Sequence, residues 1–172
     1  MTMALYNAET DETKLLTPPM FMLGAFRWAG KQLVYTGHSY TTVKAKTKGM
    51  YAYSLATGET RTLVEDGALA IYHIGEEEGT VLFTASDLKQ YGSASGQDFY
   101  KLSLAGGGCE KLLAHELVPG TSPITDSTYG SGNAFVCAQG AAYYIVLDRF
   151  QSHIRSIDAA GVQQEILGFD GG

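Results

Sequence analysis

The sequence predicts an all-β chain of about three four-stranded β-propeller blades, a partial propeller. Two observations carry the prediction: a segment that returns about every fifty residues, and a composition weighted towards strands and tight turns. Gly is abundant at 21, Tyr and Phe number 11 and 7, and no long Ala/Leu/Glu/Lys-rich stretch occurs, which favours strands over helices. At 172 residues and 45% hydrophobic, the chain is long enough to bury a sizeable core as one domain or as part of a larger one.

The repeat is visible without gaps. Met50-Tyr-Ala-Tyr-Ser-Leu-Ala-Thr-Gly-Glu-Thr-Arg-Thr-Leu-Val64 lies on Phe99-Tyr-Lys-Leu-Ser-Leu-Ala-Gly-Gly-Gly-Cys-Glu-Lys-Leu-Leu113, so that Tyr51, Tyr53, Leu55 and Leu63 fall on Tyr100, Leu102, Leu104 and Leu112. A third copy runs from His153 to Leu167, slipping by one residue at its turn, and a partial fourth opens the chain from Leu5 to Leu16. Each copy is an alternating strand, a turn of small and polar residues, and a second short strand ending in aliphatics. Period-two alternation puts Tyr51, Tyr53 and Leu55 on one face. The Ala-Thr-Gly-Glu and Ala-Gly-Gly-Gly turns supply the positive-φ positions of a tight hairpin.

Ahead of the three full copies stand Gln32–Thr36, Thr80–Thr84 and Ala142–Leu147, and further upstream Phe21–Phe26, Leu69–His73 and Ala134–Cys137. Roughly four strands in about fifty residues is the unit of a propeller blade, and the short spacing leaves no room for βαβ crossovers. The expected layout is a leading hairpin over about 4–17 and blades over about 21–65, 68–114 and 124–168, with no catalytic domain in the chain. Gly168-Phe-Asp-Gly-Gly172 reads as the start of a further blade. Three blades are fewer than the usual ring of about four to eight, so the sequence implies either part of a larger propeller or partial rings that complete one another.

A formal net charge of −6 and a pI near 5.1 argue against nucleic acid, whose binding draws on Lys and Arg neutralising phosphates. The run Glu76-Glu77-Glu78 reads as a solvated hairpin turn. No basic start leads into an apolar core at the N-terminus, and no stretch approaches the roughly 18 apolar residues of a membrane span, so no membrane partner is expected. Cys109 and Cys137 match no metal or redox spacing and read as buried or half-buried free thiols. A cytoplasmic setting follows from that.

The motifs that carry chemistry are incomplete. Gly37-His-Ser-Tyr-Thr41 comes near a nucleophile elbow, but its last position is Thr, so Ser39 reads as a loop residue. Gly92-Ser-Ala-Ser-Gly96 has Ala94 where the nucleophile belongs. His115-Glu-Leu-Val-Pro119 begins like a zinc-protease signature and ends on a helix-breaking proline. His38, His73 and His153 are isolated in sequence. Gly130-Ser-Gly-Asn-Ala-Phe135 lacks the third glycine of a dinucleotide fingerprint. Asp87, Asp98, Asp126 and Asp148 could supply a carboxylate pair for acid–base work, but read first as turn caps. The sequence assigns no catalytic, cofactor-binding or metal-ligating residue.

Val34-Tyr-Thr-Gly-His-Ser-Tyr40, Thr84-Ala-Ser-Asp-Leu-Lys-Gln-Tyr-Gly92 leading into Asp98-Phe-Tyr-Lys-Leu102, and Ile124-Thr-Asp-Ser-Thr-Tyr-Gly130 resemble the N-terminal propeller of the prolyl oligopeptidase family of serine peptidases, in its acylaminoacyl-peptidase-like branch. The resemblance implies a propeller that gates access to an α/β-hydrolase domain with a Ser-Asp-His triad, a domain this chain does not hold. The chain alone is then inactive, peptide substrates reach it only through the parent enzyme, and its partner is the hydrolase domain or a second copy. A free-standing binding or self-assembly propeller is the alternative, with Tyr40, Tyr91 and Tyr129 as candidate loop aromatics. A glycan-active propeller would need clustered acids and aromatics that the spacing does not demand.

Overall fold

The computed structural model describes residues 3–18, 21–39, 48–87, 89, 98–113, 121–122, 135–148 and 151–170. The chain divides into two compact units, Met1–Ile71 and Tyr72–Gly172.

In the first unit, β1 (Ala4–Asn7) and β2 (Glu12–Leu15) form a two-stranded hairpin, and β3 (Phe21–Ala29), β4 (Gln32–Ser39), β5 (Gly49–Ser54) and β6 (Thr60–Val64) form an antiparallel sheet in chain order. The alternation read from the sequence sets the faces. Leu33 lies opposite Tyr53 and Tyr35 opposite Tyr51, and these residues with Phe21 make the apolar face against which Met3, Leu5 and Leu16 of the hairpin pack. Tyr35 stacks on Tyr51 at 5.4 Å between ring centroids, and Phe21 meets Tyr35 edge-on at 6.2 Å. Leu55, expected on the same face, falls beyond the strand and is exposed.

In the second unit, β7 (Leu69–Glu77, whose first residues close the first unit), β8 (Thr80–Asp87), β9 (Asp98–Ser103) and β10 (Glu110–Leu113) give a four-stranded sheet. The following sheet holds β11 (Thr121–Ser122), β12 (Phe135–Ala138), β13 (Ala141–Asp148), β14 (Gln151–Asp158) and β15 (Gln163–Asp170). Leu82 and Phe99 pack on Ala142, Tyr144 and Ile157, with Leu112, Leu113 and Cys137 at the margin. Phe99 and Tyr144 lie 4.7 Å apart, ring to ring. Two polar ties join the same sheets: Lys101 Nζ donates to Ala159 O at 2.9 Å, and Gly140 N donates to Glu77 Oε2 at 2.7 Å.

The sequence's strand pattern is found, with three differences. The third sheet has a fifth strand, because β11 and β12 pair with the two ends of β13. Gly168, Phe169 and Asp170 do not start a new strand system; they complete β15, where Gly168 opposes His153 and Phe169 opposes Ser152. The acidic run is more than a solvated turn, since Glu76 Oε1 accepts from Gly79 N at 2.8 Å and Glu77 reaches Gly140.

Two hairpins close through pairs of left-handed residues, Glu78-Gly79 (φ 50° and 79°) and Gln139-Gly140 (φ 54° and 75°). Left-handed backbone at a non-glycine residue is strained, and Asn tolerates it better. Glu78→Asn is expected to raise unfolding free energy by about 0.5 kcal/mol, read as a higher urea midpoint. A lower midpoint would show that the Glu78 side chain contributes more than its backbone strain removes.

Candidate functional site

The hairpin covers only part of the apolar face of the first sheet. Lys14 of β2 donates to Gly58 O at 2.8 Å and lies 5.1 Å from the Tyr53 ring centre, so β2 sits by the β5–β6 side of the sheet. The second edge of β1 has no strand partner among the described residues. On β3, Phe26 opposes Tyr35 and Trp28 opposes Leu33. Both therefore share the hairpin-facing side, yet they are 51% and 50% exposed.

The opposite face carries Lys48 near the end where β4 stops and β5 begins. The β4–β5 register runs to Gly37↔Gly49. A β-bulge in β3 between Leu23 and Phe26 lies in the same region. The Thr36 hydroxyl is committed to it, accepting from Ala25 N at 2.9 Å and donating to Ala25 O at 3.4 Å. A Cβ added to Gly24 would lie 2.5 Å from Thr36 Oγ1 and 3.4 Å from Lys48 Nζ. The Lys48 ammonium thus crosses β4 and ends above the bulge, in space that Gly24 leaves open.

Burial lowers the Lys48 pKa below its usual 10.5, and among the described residues no carboxylate offsets that burial. His38 Nδ1 is buried with no hydrogen-bond partner. Charge is divided along the chain as well. Between Thr13 and Gly58 there is no Asp or Glu, while Lys14, Arg27, Lys31, Lys44, Lys46 and Lys48 make up half of the 12 Lys and Arg. Met1–Ile71 holds seven basic residues against six acidic ones, and Tyr72–Gly172 holds five against twelve.

The sequence's other candidates disperse. Ser39 lies in β4 opposite Phe21, in a strand rather than in a loop. Asp98 is fully buried at the start of β9, ion-paired to Lys111 Nζ, and accepts from the Tyr100 hydroxyl at 3.4 Å. Lys111 Nζ also lies 5.6 Å from the Tyr100 ring centre. Burial, then the charges of Asp98 and Asp87, hold the Tyr100 hydroxyl above its usual range. Asp87 keeps its turn role through Lys89 N at 2.9 Å.

His153 Nδ1 lies 3.4 Å from Glu165 Oε2, an oxygen that Arg155 also approaches at 3.6 Å. His73 and Asp148 lie in β7 and β13. Asp126, Ala94, His115, Pro119, most of 130–135, and Tyr40, Tyr91 and Tyr129 fall outside the described residues. The exposed aromatics in view are instead Tyr6, Phe26 and Trp28. Among the described residues no group of three or more His, Cys, Asp or Glu could hold a metal ion, and no helix is long and apolar enough to cross a membrane.

Cys109 departs from its expected burial: it lies on an exposed part of the chain, before β10. Desolvation nevertheless pushes the thiol up to about 11. The thiolate is the reactive form, so alkylation of Cys109 by iodoacetamide at about pH 8 is expected to run roughly 100-fold slower than that of an ordinary peptide thiol. The rate should climb about tenfold per pH unit until the pH passes the thiol's pKa. Fast modification at neutral pH would show the sulfur to be open to water.

No family model matches the chain, and no curated protein matches it. Solved structures do match. The chain is similar to the β-propeller domain of the Trilobed protease from Pyrococcus furiosus (TM-score 0.59, 14% identity, 96% of this chain and 48% of that one). The fold is a partial β-propeller.

The propeller is also similar to Pyrococcus horikoshii acylaminoacyl peptidase (TM-score 0.60, 16% identity, 96% of this chain and 24% of that one). It is equally similar to an oligogalacturonate lyase in complex with manganese (TM-score 0.61, 14% identity, 98% of this chain and 48% of that one). At these identities the likeness concerns fold alone. The chain spans about half or less of the length of these proteins. Its four-stranded sheets are blades, and β3 is the first strand of the first blade.

Proposed function

We propose that this chain is the propeller segment of a prolyl-oligopeptidase-like serine peptidase, where it restricts access of substrates to a hydrolase domain that the chain does not contain. The observation that carries the reading is the half-covered face of the first blade. Phe26 and Trp28 are half exposed on the face that the hairpin partly covers, and neighbouring exposed aromatics mark a surface built to be covered. The likeness in fold to acylaminoacyl peptidase and to the Trilobed protease propeller supports a peptidase setting. Within it the chain's part is to shape and exclude, since acyl transfer needs a serine nucleophile on a strained turn and Ser39 lies in a strand.

An antibody raised against the chain tests this directly. Immunoprecipitates from the source cells are treated with a fluorophosphonate that labels active serine hydrolases. The expected result is a labelled product much heavier than 18.4 kDa that the antibody also detects. An unlabelled product of the chain's own mass, bringing down no labelled hydrolase, overturns the proposal.

That second result would favour self-assembly. It has its own motive in β15, an edge strand among the described residues that leaves Ile166 and Leu167 about half exposed beside Val162, since open apolar strand edges are adhesive. Concentration-dependent sedimentation of the purified chain would support self-assembly, and a clean monomer at high concentration would exclude it.

A further inference from the structure

We propose that Asp66 is a site of spontaneous covalent modification, where the main chain is rerouted through the aspartate side chain to give isoaspartate. Three observations converge on it. Asp66 precedes Gly67 in the exposed turn 65–68, which joins β6 to β7. Gly67 stands at φ 100°, and a Cβ built there would meet nothing within 4 Å. Its amide donates no hydrogen bond among the described residues.

The reaction needs a main-chain nitrogen that can swing onto the preceding carboxyl group. A side chain on the attacking residue crowds that approach, and an amide tied into a ladder cannot leave it without cost. Gly67 has neither obstacle. Asp11, Asp87, Asp98, Asp148 and Asp158 instead precede residues that carry a side chain. Asp158 is held besides by the amides of Ala160 and Val162, both at 2.9 Å. Asp170-Gly171 repeats the dipeptide, with Gly171 outside the described residues.

The steps balance with water as the only co-reactant. The Gly67 nitrogen bonds to Cγ of the Asp66 carboxylic acid as its C–OH bond breaks, and the amide proton leaves with that oxygen as water. The five-membered succinimide then takes up water. Opening of the N–Cγ bond restores aspartate. Opening of the bond between the nitrogen and the Asp66 carbonyl carbon leaves the chain running through Cβ and Cγ, with the carboxylate on Cα.

The product lengthens a turn whose ends are fixed. Val64 and Leu69 are both buried, and Leu69 O accepts from Lys48 N at 3.0 Å. The residues between them must take up one extra main-chain atom, so the link from the first sheet to the second changes as the molecule ages.

The test ages the purified 172-residue chain at body temperature and mildly acidic pH, folded in buffer and unfolded in guanidinium chloride. Isoaspartate is counted by methyl transfer from labelled S-adenosylmethionine with an isoaspartate-specific carboxyl methyltransferase, and located by electron-transfer fragmentation of the tryptic peptides. Asp66 of the folded chain is expected to convert within about tenfold of its rate in the unfolded chain, a barrier difference of no more than about 1.4 kcal/mol. It should also run ahead of every aspartate that is not followed by glycine. Asp66→Glu keeps the charge but could close only a six-membered ring, so it should lose the signal at this position with the urea midpoint unchanged.

Conversion of Asp66 in the unfolded chain alone overturns the proposal, because the folded turn then holds the amide away from the carboxyl group. A folded chain in which Asp11, Asp87 or Asp158 converts as fast as Asp66 overturns it as well.

Discussion

Phe99→Ala is expected to lower the unfolding free energy of the second unit by about 3–5 kcal/mol. Phe99 is 2% exposed and stands between two sheets, its ring 4.7 Å from that of Tyr144 and close to Leu82, Ala142 and Ile157. Truncation removes the transfer energy of the ring and leaves a cavity walled by two β-sheets. Their hydrogen-bonded strands resist collapse, so the cavity term stays large. The aromatic pair adds roughly 1 kcal/mol that the alanine chain also loses. Urea unfolding with near-ultraviolet detection measures the change. Phe99→Leu, which keeps most of the volume, should cost under about 1.5 kcal/mol. A loss below about 1 kcal/mol for the alanine variant would mean that the two sheets do not share this core.

The second large effect comes from the ion pair between Asp98 and Lys111, and it is asymmetric. Asp98 has no exposed side-chain surface, whereas the Lys111 side chain is 32% exposed. Lys111→Ala removes the cation from a carboxylate that cannot reach water, and should destabilise by about 3 kcal/mol. Asp98→Ala leaves an ammonium that can turn outwards, and should cost about half as much, mainly through lost packing and the lost hydrogen bond to Tyr100. Replacing both partners by apolar groups, Asp98→Leu with Lys111→Met, should recover most of the loss, because neither charge then needs compensation. Equal losses in the two single variants, or a double variant weaker than either, would contradict this account. Unfolding measured at neutral pH in all four chains decides it.

Much of the fold is legible in the residues because strand faces and turn chemistry are local properties. The gapless match of 50–64 to 99–113 fixes both the unit and its alternation, and Tyr51 and Tyr53 do join one apolar face. Gly58, Gly106 and Gly107 do supply left-handed turn positions. What the sequence hides is what register decides. Asp98 has the look of a turn aspartate until β9 and β10 are paired and bring Lys111 to the neighbouring Tyr100.

The place of the Lys48 side chain beside Gly24 depends on β4 lying between β3 and β5 and on a bulge in β3. No local signal announces either, although the missing acids between Thr13 and Gly58 are plain to see. By sequence, Gly168 to Gly172 reads as the start of a further blade. In the fold, the bulge between β14 and β15 absorbs an extra residue and lets β15 run on.

The uneven division of charge has an electrical consequence. A net charge of −6 describes a uniformly acidic particle, but this chain joins a nearly neutral unit to one with seven more acidic than basic residues. The acidic unit works against its own repulsion, and the other does not. Added salt screens that repulsion within a Debye length of about 8 Å at physiological strength. Ionic strength therefore acts as a selective fastener, tightening the second unit while leaving the first almost unchanged.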